Sequence, residues 1–148
     1  MLTKTLSALF TRDLNKLKTE IAAYKNEAVI WKVQEGITNS AGNLCLHLVG
    51  NLNGFIGSEL GNSGHVRQRD LEFSLKNIPR EELIEKIEAT ITVVKQVVEQ
   101  LTDEQLNSEY SLLVFKEKTT TQYFLVHLAM HLTYHLGQIN YHRRLLDK

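Results

Sequence analysis

One proline and one cysteine occur in the 148 residues, and no apolar run approaches the ~20 residues of a membrane-spanning helix. Each scarcity excludes something. Proline costs about 3 kcal/mol inside a helix, so a chain almost free of it is open to long helices. The lone Cys45 rules out an internal disulfide framework. The 17 basic and 17 acidic residues cancel and neither sign forms a block, so the basic stripe of a nucleic-acid binder is missing. There is no phosphate-binding glycine loop, no Gly-x-Ser-x-Gly and no Cys-x-x-Cys, which leaves nucleotide-dependent chemistry and serine hydrolysis unsupported. Met1 to Phe10 is too short an apolar stretch for a signal peptide before Arg12 and Asp13 interrupt it. The hydrophobic fraction of 43% suits a single packed core. The expectation is one domain over residues 1–148 in the cytoplasm, with no nucleic-acid or membrane partner.

What is present is helical periodicity. Apolar residues recur at spacings of three and four from about Thr3 to Tyr24 (Leu6, Leu9, Phe10, Leu14, Leu17, Ile21). A second helix follows Asn39-Ser40, either of which suits an N-cap, and carries Leu44, Leu48, Leu52 and Phe55. A third opens after Pro79, with Glu81 and Glu82 where acidic groups suit the helix dipole. A fourth begins near Thr119 to Thr121 and runs to about Leu146. Ser111 to Phe115 is the one strand candidate and equally an extended connector. The expected fold is all-α. The connection from about Gly61 to Pro79 exceeds the 2–8 residues usual between antiparallel helices, so it can return along the bundle and leave helices two and three parallel.

Half of the six histidines lie in one nine-residue run, His127-Leu-Ala-Met-His131-Leu-Thr-Tyr-His135, and His142 follows. On a helix, imidazoles four residues apart share a face and can converge on one small cation. With His127 at zero on a helical wheel, His131 falls near 40°, His142 near 60° and His135 near 80°, beside an apolar stripe at roughly 100–180°. His135 is therefore expected deepest and His127 shallowest, and His131 with His135 is the better ligand pair. His142 lies about 10 Å beyond His135 along the axis, too far to share an ion. It and His127 are expected to be structural or to orient a ligand. Two imidazoles seldom hold a catalytic metal alone. The third must come from His47, on the edge of the second helix's apolar face, or from His65 in a glycine-rich segment that is a less rigid platform.

Two further features carry alternatives. Gly50, Gly54, Gly57 and Gly61 form a stripe beside His47, each costing up to ~1 kcal/mol against alanine in a helix interior. They allow either a close helix contact or a shallow wall next to a ligand. Cys45 points about 200° from His47 and is expected to be a small buried group.

The run Asn39-Ser40-Ala-Gly-Asn-Leu-Cys-Leu-His47-Leu-Val-Gly50-Asn51-Leu, followed by His131-Leu-Thr-Tyr-His135-Leu136-Gly137-Gln138-Ile139, resembles the two motifs of the DinB/YfiT-like superfamily. Arg67-Gln-Arg69-Asp70-Leu-Glu72-Phe73 resembles an Arg/Asp-rich Glu-Phe signature in one uncharacterised branch of it. The resemblance implies a four-helix bundle with a long crossover between helices two and three. It implies a divalent metal, zinc or nickel first, held by His47, His131 and His135. It also implies homodimers and, in members of assigned activity, transfer reactions of a low-molecular-weight thiol (bacillithiol, mycothiol or glutathione). The superfamily often has arginine directly after the second ligand of the last helix, where this chain has Leu136, so a fixed positive charge near the site is expected to be lost. The leading expectation is a metal-dependent S-transferase acting on a small-molecule electrophile. The rivals are a hydrolase using a metal-bound water, which needs a nearby carboxylate that no ligand-like spacing supplies, and a stress-associated metal-binding or dimerisation module without turnover.

Overall fold

The structure is a computed structural model describing residues 1–148, and it is all-helical. Four long helices form the bundle: α1 (Leu2–Ala22), α2 (Ala41–Leu52), α4 (Arg80–Gln100) and α6 (Thr121–Leu146). Two short ones lie in the connections, α3 (Arg69–Ser74) and α5 (Asp103–Asn107). A 3-10 turn spans Glu27–Trp31, and α2 continues into a wider π turn at Asn53–Ser58. No helix is long and apolar enough to cross a membrane. Ser111 to Phe115 is an extended connector, with only an isolated pairing of Glu109 and Thr120 nearby.

The long helices begin where the chain offers caps. Ser40 accepts from Asn43 N and Thr120 from Tyr123 N, each satisfying a backbone donor that has no partner within its helix. Thr102 and Gln105 form a reciprocal capping box that starts α5, a five-residue helix too short for apolar periodicity to betray. In α1 the residues Leu6, Phe10, Leu14, Leu17 and Ile21 are buried, and in α4 Leu83, Ile87, Val94 and Val98 are. Each such side chain contributes roughly 1.5–3 kcal/mol by leaving water.

Side-chain pairs fix the helix directions. Ser7 meets Glu99 and Lys18 meets Glu88, so α1 and α4 are antiparallel. Thr133 donates to Asp13 and Asn140 to Glu20, so α1 and α6 are parallel. Asn53 donates to Thr90 while Gly61 abuts Val97, so the α2 helix and its extension run parallel to α4. Parallel neighbours require the chain to travel back along the bundle between them, which is the work of the crossover containing α3.

Helix α2 is buried on almost every side: all of its residues except Val49 are inaccessible. It nonetheless carries a polar stripe at Asn43, His47 and Asn51, one turn apart. Asn43 anchors the crossover by donating to Glu72 O and Leu75 O at 2.9 and 2.8 Å.

At the other end of α6, His142 is the most buried of its histidines, correcting the expectation that His135 lies deepest; His127, His131 and His135 are all half-buried. His142 Nε2 stands 2.8 Å from Lys32 O and must donate to it, so Nδ1 accepts from the buried Tyr24 hydroxyl at 2.7 Å. Burial holds this imidazole below its ordinary 6.5, opposed only in part by the bond to Lys32 O. The unfolded chain therefore takes up the proton first. The stabilisation is whole above about pH 6.5 and is lost as pH falls through the lower folded value. His142→Gln is expected to cost about 2 kcal/mol at pH 7.5 and to flatten the fall in stability between pH 7.5 and 5. Urea midpoints of both proteins at the two pH values check this, and equal slopes would show that His142 does not carry it.

Candidate metal centre

Helices α2 and α6 are antiparallel, since His47 meets His131 while Phe55 meets Phe124. That packing brings together the three histidines expected as ligands. His131 Nε2 lies 3.2 Å from His47 Nε2 and 3.1 Å from His135 Nε2, and one ring nitrogen from each falls within 4.8 Å of the others. Nitrogen ligands about 2.05 Å from a tetrahedral ion stand about 3.3 Å apart, so the group has the dimensions of a metal site. It can hold a metal ion.

The outer ring nitrogens show which way the lone pairs point. His47 Nδ1 is 3.0 Å from Glu72 Oε1, and a carboxylate only accepts, so Nδ1 carries the proton. His135 Nδ1 stands 2.7 Å from Gln138 Oε1 and donates to it likewise. In the neutral rings both Nε2 atoms therefore present lone pairs to the same point beside His131. Burial first, then repulsion by charge on His135 and His47, pushes His131 down to about 4, so it is neutral at pH 7. Burial also lowers His135, the Gln138 bond opposing it. Such a set of imidazole nitrogens suits a metal ion. His131 Nδ1 and Asn51 Oδ1 are buried without protein partners.

Glu72 is the residue that spacing alone does not place. It comes from α3, is itself buried, and is gripped by Arg67 through two bonds of 2.9 Å, Nε to Oε2 and Nη2 to Oε1. Burial would raise its carboxyl, but the hydrogen bonds from His47 and Arg67 and the charge of Arg67 outweigh that and hold it below the usual range. Two expectations are corrected. A carboxylate does reach the histidines, though on the far side of His47 from the converging nitrogens. A fixed positive charge also persists: Leu136 is buried in the core, but Arg67 Nη2 sits 3.3 Å from His47 Nδ1. The only sequence signal for both residues is the Arg67–Phe73 signature, which has no helical period to assign it a face.

The glycine stripe divides by function. A Cβ on Gly50 would overlap the Glu72 carboxylate, and one on Gly54 would press on Arg67 Cδ at 3.3 Å. Gly57 and Gly61 instead face Val93 and Val97 of α4, the close helix contact. His127 packs against Phe115 and Phe124, with ring centroids 4.7 and 6.0 Å away, and stays outside the cluster. His65 is exposed in the crossover, and Cys45 is buried.

Residues 3–148 match the family described as Protein of unknown function (DUF1572). The chain belongs to this family. No curated protein matches it.

If Gly50 is the seat of Glu72, then Gly50→Ala displaces the carboxylate while leaving the helices intact. Divalent-ion affinity is expected to fall roughly 10–100-fold, the usual cost of losing a group that orients a ligand imidazole. Competition against a chromophoric chelator measures it, and an unchanged affinity would show that His47 needs no such support.

Proposed function

We propose that this protein is a divalent-metal-dependent S-transferase in which His47, His131 and His135 hold the ion and a low-molecular-weight thiol is the nucleophile. Its family is, on this reading, a branch of the DinB/YfiT-like superfamily. The observation that carries the proposal is the aiming of two Nε2 lone pairs, by Glu72 and Gln138, at one point beside a neutral His131. The parallel α2 and α4 helices, joined by a long crossover that reaches the site, support the superfamily assignment.

When bound, the ion supplies positive charge that holds a thiol ionised at neutral pH. The chain's own residues favour a thiol over water as nucleophile. Both Glu72 oxygens are committed, to His47 and Arg67, so Glu72 is not free to take a proton. A thiol, with an ordinary pKa near 8.5, does not require a base. Imidazole ligands add no negative charge to offset that of the ion, which favours an anionic ligand. Phe73, 5.1 Å from the His47 ring, and Tyr134, 5.4 Å from the His135 ring, give the imidazoles apolar flanks. A cavity of about 270 Å³ borders Gln138 and is lined by Ile37, Leu44 and Tyr141 without an acidic side chain, lysine or arginine, which suits an uncharged electrophile.

Protein purified without a histidine tag is expected to retain about one divalent ion per chain through dialysis, and His131→Ala to lose it. The loaded protein is expected to consume an epoxide or activated halide only when a thiol such as bacillithiol, mycothiol or glutathione is present. Turnover that proceeds equally well without thiol would replace this reading with hydrolysis. Metal retention without any turnover would leave a binding module.

A further inference from the structure

Two of the three clustered imidazoles have protein partners for their outer nitrogens, His47 in Glu72 and His135 in Gln138. His131 has none: its Nδ1 is buried and meets no donor or acceptor of the chain. A ligating histidine ordinarily gives its other ring N–H to a carboxylate, a carbonyl or a water, which fixes the direction of the ring. One buried acceptor is in the same position. Asn51 is 6% exposed, and its Oδ1 also lacks a protein partner. The remaining buried side-chain atom without one, Arg80 Nε, is a donor at the start of α4.

The helices bring Asn51 and His131 together. Asn51 follows His47 by one turn on the polar stripe of α2, about 6 Å along the axis. Across the antiparallel pair His47 meets His131 and Phe55 meets Phe124, so Asn51 falls opposite the turn that precedes His131. Side chains lean toward the N-terminus of their own helix. Asn51 therefore leans back toward the level of His131, and His131 leans toward the level of Asn51.

We infer that one buried water joins Asn51 Oδ1 to His131 Nδ1, which makes Asn51 the positioning residue for His131. The inference rests on the reading of the three histidines as a metal site. With an ion on Nε2, the His131 proton sits on Nδ1, and the water accepts from it while donating to Asn51. Without an ion, His131 Nε2 lies 3.2 and 3.1 Å from the lone pairs of His47 and His135 Nε2 and carries the proton itself. The same water then turns and donates to Nδ1 while still donating to Asn51. An amide oxygen in direct contact serves only the first arrangement, because it cannot donate. Two such polar partners are enough to hold an ordered water, and a bridge of this sort is nearly as favourable as a direct bond.

Two substitutions separate this from a packing role. Asn51→Leu keeps the volume, removes the acceptor and excludes the water, whereas Asn51→Ala opens space that a second water can take. Divalent-ion affinity, measured by competition against a chromophoric chelator, is expected to fall roughly 10–100-fold in Asn51→Leu and far less in Asn51→Ala. A side chain that matters only for packing gives the opposite order, since the cavity is then the greater loss. In the zinc-loaded protein, the proton magnetic resonance of the His131 ring N–H is expected downfield in the wild type and in Asn51→Ala. In Asn51→Leu it moves upfield. Equal affinities, or the packing order, overturn the proposal. A crystal structure of the metal-free wild type decides independently, also where Asn51→Leu does not fold. A water within about 3.2 Å of both atoms is expected there, and its absence overturns the bridge. That water in a wild type that takes up no divalent ion would overturn the reading of the histidines as ligands and leave the bridge standing.

Discussion

The bundle is organised around a polar stripe on a buried helix. Helix α2 is covered on nearly every side, yet Asn43, His47 and Asn51 point from it into places where an unpartnered polar atom costs several kcal/mol. The surrounding elements meet that demand at Asn43 and His47, while Asn51 Oδ1 keeps no protein partner. The crossover brings backbone carbonyls to Asn43 and a carboxylate to His47, and α6 brings two more imidazoles. An up-and-down bundle with short loops has no segment free to lie along α2 at that depth. The parallel course of α2 and α4, which makes a long crossover necessary, is thus also what makes a buried carboxylate at the site possible.

The charges at the site are ordered in a line: a guanidinium, a carboxylate, an imidazole, and then the point where the nitrogens converge. Arg67 keeps Glu72 ionised despite burial, and Glu72 keeps the His47 proton on its outer nitrogen. Each partner fixes the tautomer or the charge of the next, as hydrogen-bonded carboxylates do for histidines that ligate a metal. Gly50 is the geometric condition for it, since any side chain there occupies the volume of the carboxylate.

Much of this was legible in residue order, for reasons that vary by element. Leu6 to Ile21 and Leu83 to Val98 declare their helices by period, and the length of Gly61–Pro79 foretells parallel neighbours. His131 and His135 are legible because a helix converts spacing of four into a shared face. The depth of individual histidines was not, because a wheel knows one helix and not what covers it: His142 is sealed by Tyr24 and the segment after α1, both remote in sequence. Glu72 and Arg67 lie in a segment without period, so the residues alone do not say what they touch. The four glycines read as one stripe, yet serve two neighbours, an ion pair at one end and valines of α4 at the other.

The 84 residues between His47 and His131 bear on how the molecule is built as well as on what it does. Helical bundles fold quickly through local contacts, and the entropy of closing longer loops grows only slowly with their length. Here a polar cluster joins residues 84 apart in sequence, so it is completed only when α6 docks on α2 in the correct register. Because imidazoles on α6 lie a turn apart, a slip of one turn would take His131 away from His47 Nε2, which it meets at 3.2 Å, and offer His47 a different neighbour. The histidine cluster therefore penalises near-native misalignments that hydrophobic packing, indifferent to which leucine meets which, would tolerate.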